Sequence, residues 1–156
     1  MAKLDLTALR GFILEPVALQ LAACDAALTP HSVRGFGVRI DADDALCVGL
    51  VDAQAPLLLE ALRSSMRVAV NLTHPLSFQG RQVKGPVLEV AEPSAEAADA
   101  AHEYFARFAK ILGQIGLTAE QCRGMFCDGP TRWIRMRADE LFDQTPGAGA
   151  GAELRA

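Results

Sequence analysis

Short apolar stretches with a two-residue period dominate the first two thirds of the chain. From residue 17 to 23 the larger apolar side chains fall on alternate positions, which is typical of a strand with one buried face. Turn residues such as Thr29-Pro30 and Asp43-Asp44 separate this stretch from others of similar character. Strands are predicted over residues 17–23, 32–40, 46–51, 67–73, 80–90 and 132–137.

Two helices are predicted in the first half of the chain. A short helix over residues 4–14 should end before Pro16, because the residue before a proline is disfavoured in the helical conformation. A second helix follows residue 51, with Asp52 as its N-cap, Pro56 in its first turn and leucines forming an apolar stripe up to residue 65.

A helical pair is predicted before the final strand. Ser94 can cap the longest helix, whose apolar residues recur every three or four positions until Gly113. Thr118 and Gln121 fit a capping box at the start of the second helix. Strands interrupted by one helix and followed by this pair favour a mainly β fold with flanking helices, a partly open antiparallel barrel.

Length and charge exclude several classes of protein. With 156 residues, of which 51% are hydrophobic, the chain is expected to form one domain over residues 1–146, followed by a flexible Gly/Ala-rich tail over 147–156. No apolar run approaches the ~20 residues of a membrane helix. The net charge of -4 offers nucleic acid no broad positive field. A cytoplasmic protein that binds neither membrane nor nucleic acid is therefore expected.

The cysteine and histidine residues do not predict a metal site. Cys24, Cys47, Cys122 and Cys127 stand among apolar neighbours, and the last two have the wrong spacing for a zinc knuckle. Buried thiols are expected. The sequence also contains no Walker loop, H-E-x-x-H or G-x-S-x-G motif, so hydrolysis and phosphoryl transfer have no support and no catalytic residue is assigned.

The predicted second strand contains candidate ligand-binding residues. Gly35 and Gly37 lie on one face of a regular strand and leave a flat gap beside Arg39, whose guanidinium would suit a phosphate or carboxylate. Arg34 lies on the opposite face. The alternative is a bulge at a barrel corner flanked by two solvated arginines.

The stretch GRQVKGPVLEV (residues 80–90) combines strand residues with cations and a Gly-Pro pair. Because proline cannot donate to a central ladder, Gly85-Pro86 predicts an edge strand or a bulge at a barrel rim. Arg81, Gln82 and Lys84 would then offer polar groups to a ligand or partner. Alternatively, they are solvated charges that discourage strand pairing.

The last predicted strand places Trp133 on one face with Arg135 and Arg137. The indole could stack on a ligand, but packing at the core edge or in a dimer contact is the favoured interpretation. The apolar residues of this strand and of residues 87–90 exceed the need of one small core, which predicts a two-fold homodimer.

Four stretches, together with the order of elements, resemble the pyridoxamine 5'-phosphate oxidase-like proteins. They are PHSVRGFGVRID, LRSSMRVAV, QVKGPVLEV and ELFDQTPGAG, and the resemblance covers about residues 14–147. It implies a six-stranded antiparallel Greek-key split β-barrel that forms a homodimer, with FMN in a groove between the subunits.

The resemblance also implies site residues. Arg34 and Arg39 have the spacing of two basic residues that approach the flavin phosphate in the family, and Gln82 corresponds to a glutamine that contacts the flavin. Pro56-Leu57-Leu58 stands where the oxidases carry Ser-Arg-Lys, and Lys84 replaces an acid.

Two functional hypotheses follow from these residues. The first is an FMN-binding split-barrel protein that acts as a flavin-dependent oxidoreductase on an unidentified small molecule, with the cofactor supplying the redox chemistry. The second is a binding module that keeps the barrel and the dimer but has lost FMN, and that holds haem, a deazaflavin or nothing.

Overall fold

The computed structural model describes residue 4 and residues 6–154 of the chain. The eight strands are β1 (Ala18–Cys24), β2 (Pro30–Gly35), β3 (Val38–Ile40), β4 (Ala45–Val51), β5 (Arg67–Thr73), β6 (Gly80–Val90), β7 (Thr131–Arg137) and β8 (Glu140–Asp143). The four α-helices are α1 (Thr7–Phe12), α2 (Pro56–Ser65), α3 (Ala95–Gln114) and α4 (Ala119–Arg123).

The strands form one antiparallel sheet in the order β2-β1-β5-β6-β7-β4-β3, and β8 pairs with β6. This arrangement confirms the predicted fold class, a mainly β split barrel with flanking helices. The number of strands differs from six for two reasons. The predicted strand over residues 32–40 is divided into β2 and β3, and β8 was not predicted.

The division between β2 and β3 lies at Phe36 and Gly37. Before it, β2 pairs with β1, and after it, β3 pairs with β4. Gly37 has φ 96°, a left-handed conformation that favours glycine, and the Phe36 amide donates to the carbonyl of Gly49 on β4 at 2.8 Å. The chain therefore bends at the corner predicted as the alternative for these glycines, and the bend brings the two ends of the sheet together.

Gly85 and Pro86 lie inside the barrel wall, so the prediction of an edge strand is wrong. β6 pairs with β5 and β8 up to this point and with β7 from Val87 onward, with a register shift between Val87 and Glu89. A Cβ at Gly85 would overlap the carbonyl oxygen of Arg137. Proline is tolerated here because β6 exchanges one neighbour for another, and the bulge predicted as the other possibility lies next to it.

The barrel interior is filled by the alternate side chains of the strands. β1, β4, β5 and β6 contribute the centre, and α1 and α2 add leucines to the same cluster. Among its fully buried members are Val17, Leu19, Leu21, Leu46, Leu50, Leu62, Leu72 and Val83. On β1, β5 and the first part of β6 burial follows the two-residue period of the sequence, because one face of each strand faces the barrel axis. β4 is instead buried on both faces, and Leu62 enters the core from α2.

Helix α3 covers the outer face of β4 and β7. Its Ala97 packs with Cys47 and Trp133 in a separate small cluster, while Phe108 joins the main core. Both faces of β7 are therefore buried within one chain. Of the six apolar residues behind the predicted surplus, Val87, Trp133, Ile134 and Met136 are buried, Val90 is half-buried and Leu88 is 48% exposed, so most of the set is used within one chain. Trp133 packs at the edge of the core, as the favoured interpretation had it. These two strands therefore give little support to the predicted dimer.

Asp52 does not cap α2, contrary to prediction. It begins a short 3-10 helix, Asp52–Gln54, and Ala55 occupies the N-cap position of α2. The carboxylate of Asp52 instead accepts two hydrogen bonds of 2.6 Å from Arg132 on β7. Ser94 and the Thr118–Gln121 capping box do cap α3 and α4, as predicted.

The chain after β8 turns back on itself. The amide of Leu154 donates to the Leu141 carbonyl at 2.7 Å, and Glu153 forms a β-bridge with Phe142. The last two residues of the predicted tail lie outside the described residues, and its flexibility stays a prediction. Within the described part of the chain, no helix has the length and apolar character needed to cross a membrane.

Candidate functional site

The sheet has one face that points away from the barrel interior on β1, β2, β5, β6 and β8, and we call it the outward face. Pairing places its residues in transverse rows. One row consists of Arg34, Gln20, Asn71, Gln82 and Phe142, each opposite the next on the neighbouring strand. These side chains are half-buried or exposed, whereas the intervening residues of the same strands are mostly core. Lys84 stands beside this row on β6, opposite Glu140.

Two cationic side chains on the outward face, Arg34 and Lys84, are not neutralised by a carboxylate of the described residues. Arg34 and Lys84 form no ion pair with any carboxylate in the described part of the chain. The Arg34 guanidinium carbon lies 6.0 Å from the Phe108 ring centre, and the Lys84 Nζ lies 4.7 Å from that of Phe142. Both charges are therefore available to an anionic ligand.

A groove runs from the edge of β2 to the first turn of α2, and we call it the α2 groove. It has a volume of ≈ 450 Å³ and is lined by residues 30–33 and 53–58. Ala55 provides no side-chain cap, so the first amides of α2 have no capping side chain among the described residues. Ser32 and His31 line this groove from β2, and the His31 imidazole is held by Asp25, with 3.1 Å between Nε2 and Oδ2. The Ser32 hydroxyl accepts a hydrogen bond from Gln20 at 2.8 Å.

A second cavity of ≈ 200 Å³ lies between α3 and β3. Arg39 lines it, stacks over Trp133 at 4.1 Å, and is bound by Glu96 at 2.8 Å and by Asp41 at 2.9 Å. The indole Nε1 of Trp133 donates to Glu96 at 2.7 Å. The charge of Arg39 is thus neutralised by two carboxylates, and it fastens α3 to the sheet.

Cys47 lies beneath this cluster and is chemically inert. Its thiol donates to Asp41 at 3.2 Å, and burial together with that carboxylate raises the pKa of the thiol to about 12. Burial disfavours the charged form of Asp41, but hydrogen bonds from Arg39 and Cys47 outweigh this effect and lower the pKa of the carboxyl. At neutral pH the pair is a thiol and a carboxylate, so Cys47 offers no nucleophile.

The structure brings together some of the predicted site residues and separates others. Arg34, Gln82 and Lys84 share the outward face. Gly37 and Arg39 line the cavity beneath α3 instead. Arg34, Gln82 and Lys84 do not line that cavity.

Two further predicted residues have structural roles. Gly35 is buried, and a Cβ there would lie 2.8 Å from atoms of Leu21 and Val48, so core packing explains this glycine. Arg81 points to the opposite side of β6 from Gln82 and binds Asp143 at 3.1 Å. Neither residue contributes to the outward face.

Sequence reasoning missed Gln20, Asn71 and the α2 groove. Gln20 stands out in the sequence only as the polar residue of an alternating strand, and Asn71 lies in a similar position on another strand. Strand register is required to place them side by side. His31 and Ser32 gave a weak signal, a polar pair directly after Thr29-Pro30 at the start of a strand.

The cysteines depart from prediction in one respect. Cys47 and Cys122 are buried and Cys127 is half-buried, but Cys24 is exposed on β1. Among the residues that the structure describes, no three His, Cys, Asp or Glu side chains gather as metal ligands would.

Comparison with known proteins finds similar structures but no similar sequence family or curated protein. No family model matches the sequence, and no curated protein matches it. HupZ from Group A Streptococcus superposes with a TM-score of 0.55 and 14% identity, over 92% of this chain and 97% of that chain. An F420 reductase superposes with a TM-score of 0.52 and 13% identity, over 85% of this chain and 94% of that chain.

Both neighbours have split-barrel folds. At identities of 14% and 13% the likeness shows the fold and not the ligand. The features of this chain that bear on its function are therefore the outward face and the α2 groove.

Proposed function

We propose that this protein binds FMN or a related flavin on its outward face and uses it for redox chemistry on a small molecule. The observation that carries the proposal is the outward face itself, where Arg34, Gln82 and Lys84 lie together and the two cations have no carboxylate partner among the described residues. The F420 reductase among the structural neighbours is consistent with a flavin-type ring and does not distinguish FMN from a deazaflavin such as F420.

The α2 groove fits the phosphate of such a cofactor. The uncapped start of α2 presents backbone amides and the positive end of the helix dipole, both of which favour an anion. Ser32 adds a hydroxyl and His31 an imidazole from β2. These groups would take over phosphate binding from the Ser-Arg-Lys segment, which is Pro-Leu-Leu in this sequence at residues 56–58. A bound flavin would supply hydride or electron transfer, and these residues would bind and orient it.

The same proposal includes a homodimer built on the outward face. The other side of this sheet forms the core, whereas the outward face presents half-buried small and amide side chains such as Ala22, Ala69 and Asn71. A second copy placed over this face would exclude water from a bound ring, which strengthens its polar contacts.

A second candidate function is a binding module that has lost FMN. The observation in its favour is the first turn of α2, where Pro56, Leu57 and Leu58 provide no cation. Such a module would hold haem or a deazaflavin on the same barrel.

Fluorescence titration separates the two candidates. We expect FMN fluorescence to be quenched by the wild type at micromolar concentration, and Arg34→Ala to weaken binding roughly ten- to a hundredfold, the value of a charge-assisted hydrogen bond. A panel of FMN, F420 and haemin in thermal unfolding identifies the preferred cofactor, since a ligand at a hundred times its Kd stabilises the fold by about 2.7 kcal/mol. Stabilisation by haemin alone, without FMN quenching, would favour the second candidate.

Lys84 provides a test of the charge argument. We expect Lys84→Ala to weaken FMN binding and to reduce its dependence on salt, because the wild type has one more charge to screen. Lys110→Ala, an exposed lysine on α3, is the matched control and should change neither quantity. Equal affinities and equal salt slopes in all three proteins would exclude a role for Lys84.

A further inference from the structure

We propose that Gln20, Asn71 and Gln82, which we call the amide row, recognise the imide edge of a planar heterocyclic ligand. The proposal rests on the proposed function, because it names the part of the flavin that the outward face reads. It assigns roles to Gln20 and Asn71, two residues that the sequence did not single out.

Register aligns the three amides. Gln20 on β1 lies opposite Asn71 on β5, and Asn71 lies opposite Gln82 on β6. Adjacent strands are about 4.8 Å apart, so neighbouring amides of the row are about as far apart as the two carbonyl oxygens of an imide edge, and the whole row spans about 10 Å. Arg34 and Phe142 continue the row at its two ends. Beside it lies a shallow cavity of ≈ 210 Å³ lined by Gln20, Arg34 and Asn71, among others.

Each side-chain amide of the row makes a hydrogen bond within the described part of the protein through only one of its two ends. Gln20 bonds to the Ser32 hydroxyl at 2.8 Å, Asn71 to the Thr73 hydroxyl at 3.3 Å, and Gln82 to Gln144 at 3.5 Å. Among the described residues, the other end of each amide has no partner. The short Gln20 contact fixes that side chain, whereas the contacts of Asn71 and Gln82 are longer and weaker. The remaining donors and acceptors of the three amides could pair with a ligand that offers both kinds of group.

The chemistry of this row favours one ligand class. An imide edge presents C=O, N–H and C=O groups in one plane, and carboxamides can both donate to such an edge and accept from it. Flavins and deazaflavins carry this edge on their pyrimidine ring. The carbon periphery of a porphyrin does not, so haem would leave the three amides unpaired beneath it, which is unfavourable. The amide row therefore favours a flavin-type ring over haem.

The test compares FMN with N3-methyl-FMN, in which the imide N–H is blocked. We expect the wild type to bind FMN two- to tenfold more tightly than the methylated analogue, the range for one neutral hydrogen bond. Asn71→Leu should weaken FMN binding by a similar factor and lose this discrimination. Gln114→Leu, which also replaces an amide side chain by leucine but at the exposed end of α3, is the matched control and should retain both.

The outcomes separate the inference from the proposed function. If the wild type binds neither flavin, both fail. If it binds FMN but Asn71→Leu keeps the affinity and the discrimination, only the role of the amide row is overturned. Light scattering on the same variants addresses the remaining alternative. If Asn71→Leu abolishes a dimer and leaves FMN affinity unchanged, the row is a contact between copies and not a ligand-reading element.

Discussion

At the scale of single residues, His102 shows how local geometry fixes a charge. Its Nδ1 lies 2.8 Å from the carbonyl oxygen of Ala98, and its Nε2 lies 2.6 Å from a carboxylate oxygen of Asp128. Both neighbours accept hydrogen bonds, so only the imidazolium, which donates from both nitrogens, satisfies them. The Ala98 carbonyl, followed by Asp128, raises the pKa of His102, and the charge of Asp99 acts in the same direction.

We predict that the His102 contact stabilises the fold only while the imidazole is protonated. A folded-state pKa above the unfolded value of about 6.5 means that the stabilisation is fully present below that pH and is lost as the pH rises through the folded pKa. An NMR titration of the His102 ring should give a pKa above 6.5, and Asp128→Asn should lower it. A wild-type value at or below 6.5 would contradict the geometry.

At the scale of elements, the pair of Asp52 and Arg132 joins the 3-10 helix after β4 to the start of β7. Two hydrogen bonds of 2.6 Å form a bidentate contact, and Arg132 also donates to the Ala91 carbonyl at 3.2 Å. Both side chains are largely shielded from water, with relative exposures of 17% for Arg132 and 24% for Asp52. This contact connects segments 80 residues apart in sequence.

We expect Asp52→Ala to lower the free energy of unfolding by about 1.5–3 kcal/mol, because the variant leaves a partly buried guanidinium without its carboxylate. Urea unfolding measures the change. The control is Glu140→Ala, which removes an exposed contact to Arg67 at 3.5 Å and should cost less than about 1 kcal/mol. An equal loss in both variants would show that the bidentate pair is no stronger than a surface ion pair.

Elements with a clear period or a capping motif could be predicted from the sequence. The strand over residues 67–73, the strand over 80–90 and the caps of α3 and α4 all follow local patterns. Contacts that depend on distant partners could not be predicted. Asp52 has the local character of a helix cap, and only the fold shows that Arg132 takes its carboxylate. β8 has four residues, too few for a visible period.

The candidate site could be predicted only in part for the same reason. Arg34, Gln82 and Lys84 stand out as polar residues in strands, and the structure places them on one face. Arg39 looks equivalent in sequence, but Asp41 and Glu96 neutralise it beneath α3. Asn71 acquires its neighbours through register, which a single sequence does not specify.

At the scale of the whole molecule, the outward face supports the proposed dimer. The chain buries both faces of β4 and β7 with the barrel core and α3, but leaves the outward face with half-buried and exposed side chains. A symmetric pair of chains would cover it and place a ligand between them.

We predict a mass of twice 16.6 kDa by light scattering at micromolar concentration. Ala69→Arg, which places a large charge at the centre of the outward face, should shift the mass toward the monomer because two like charges would meet across the two-fold axis. Leu88→Arg, an equally drastic change at an exposed site on β6, is the control and should leave the mass unchanged. A monomer in the wild type would remove the dimer from the proposal.

Flavin binding to the outward face can be followed directly at one side chain. Asn71 is the only asparagine in the sequence, so labelling the protein with side-chain ¹⁵N-asparagine yields a single NH₂ signal pair from the middle of the amide row. We predict that FMN shifts this signal in a saturable manner, with the same Kd as the quenching of FMN fluorescence. A signal that stays in place while FMN fluorescence is quenched, or at FMN concentrations that saturate no other response, would contradict the account.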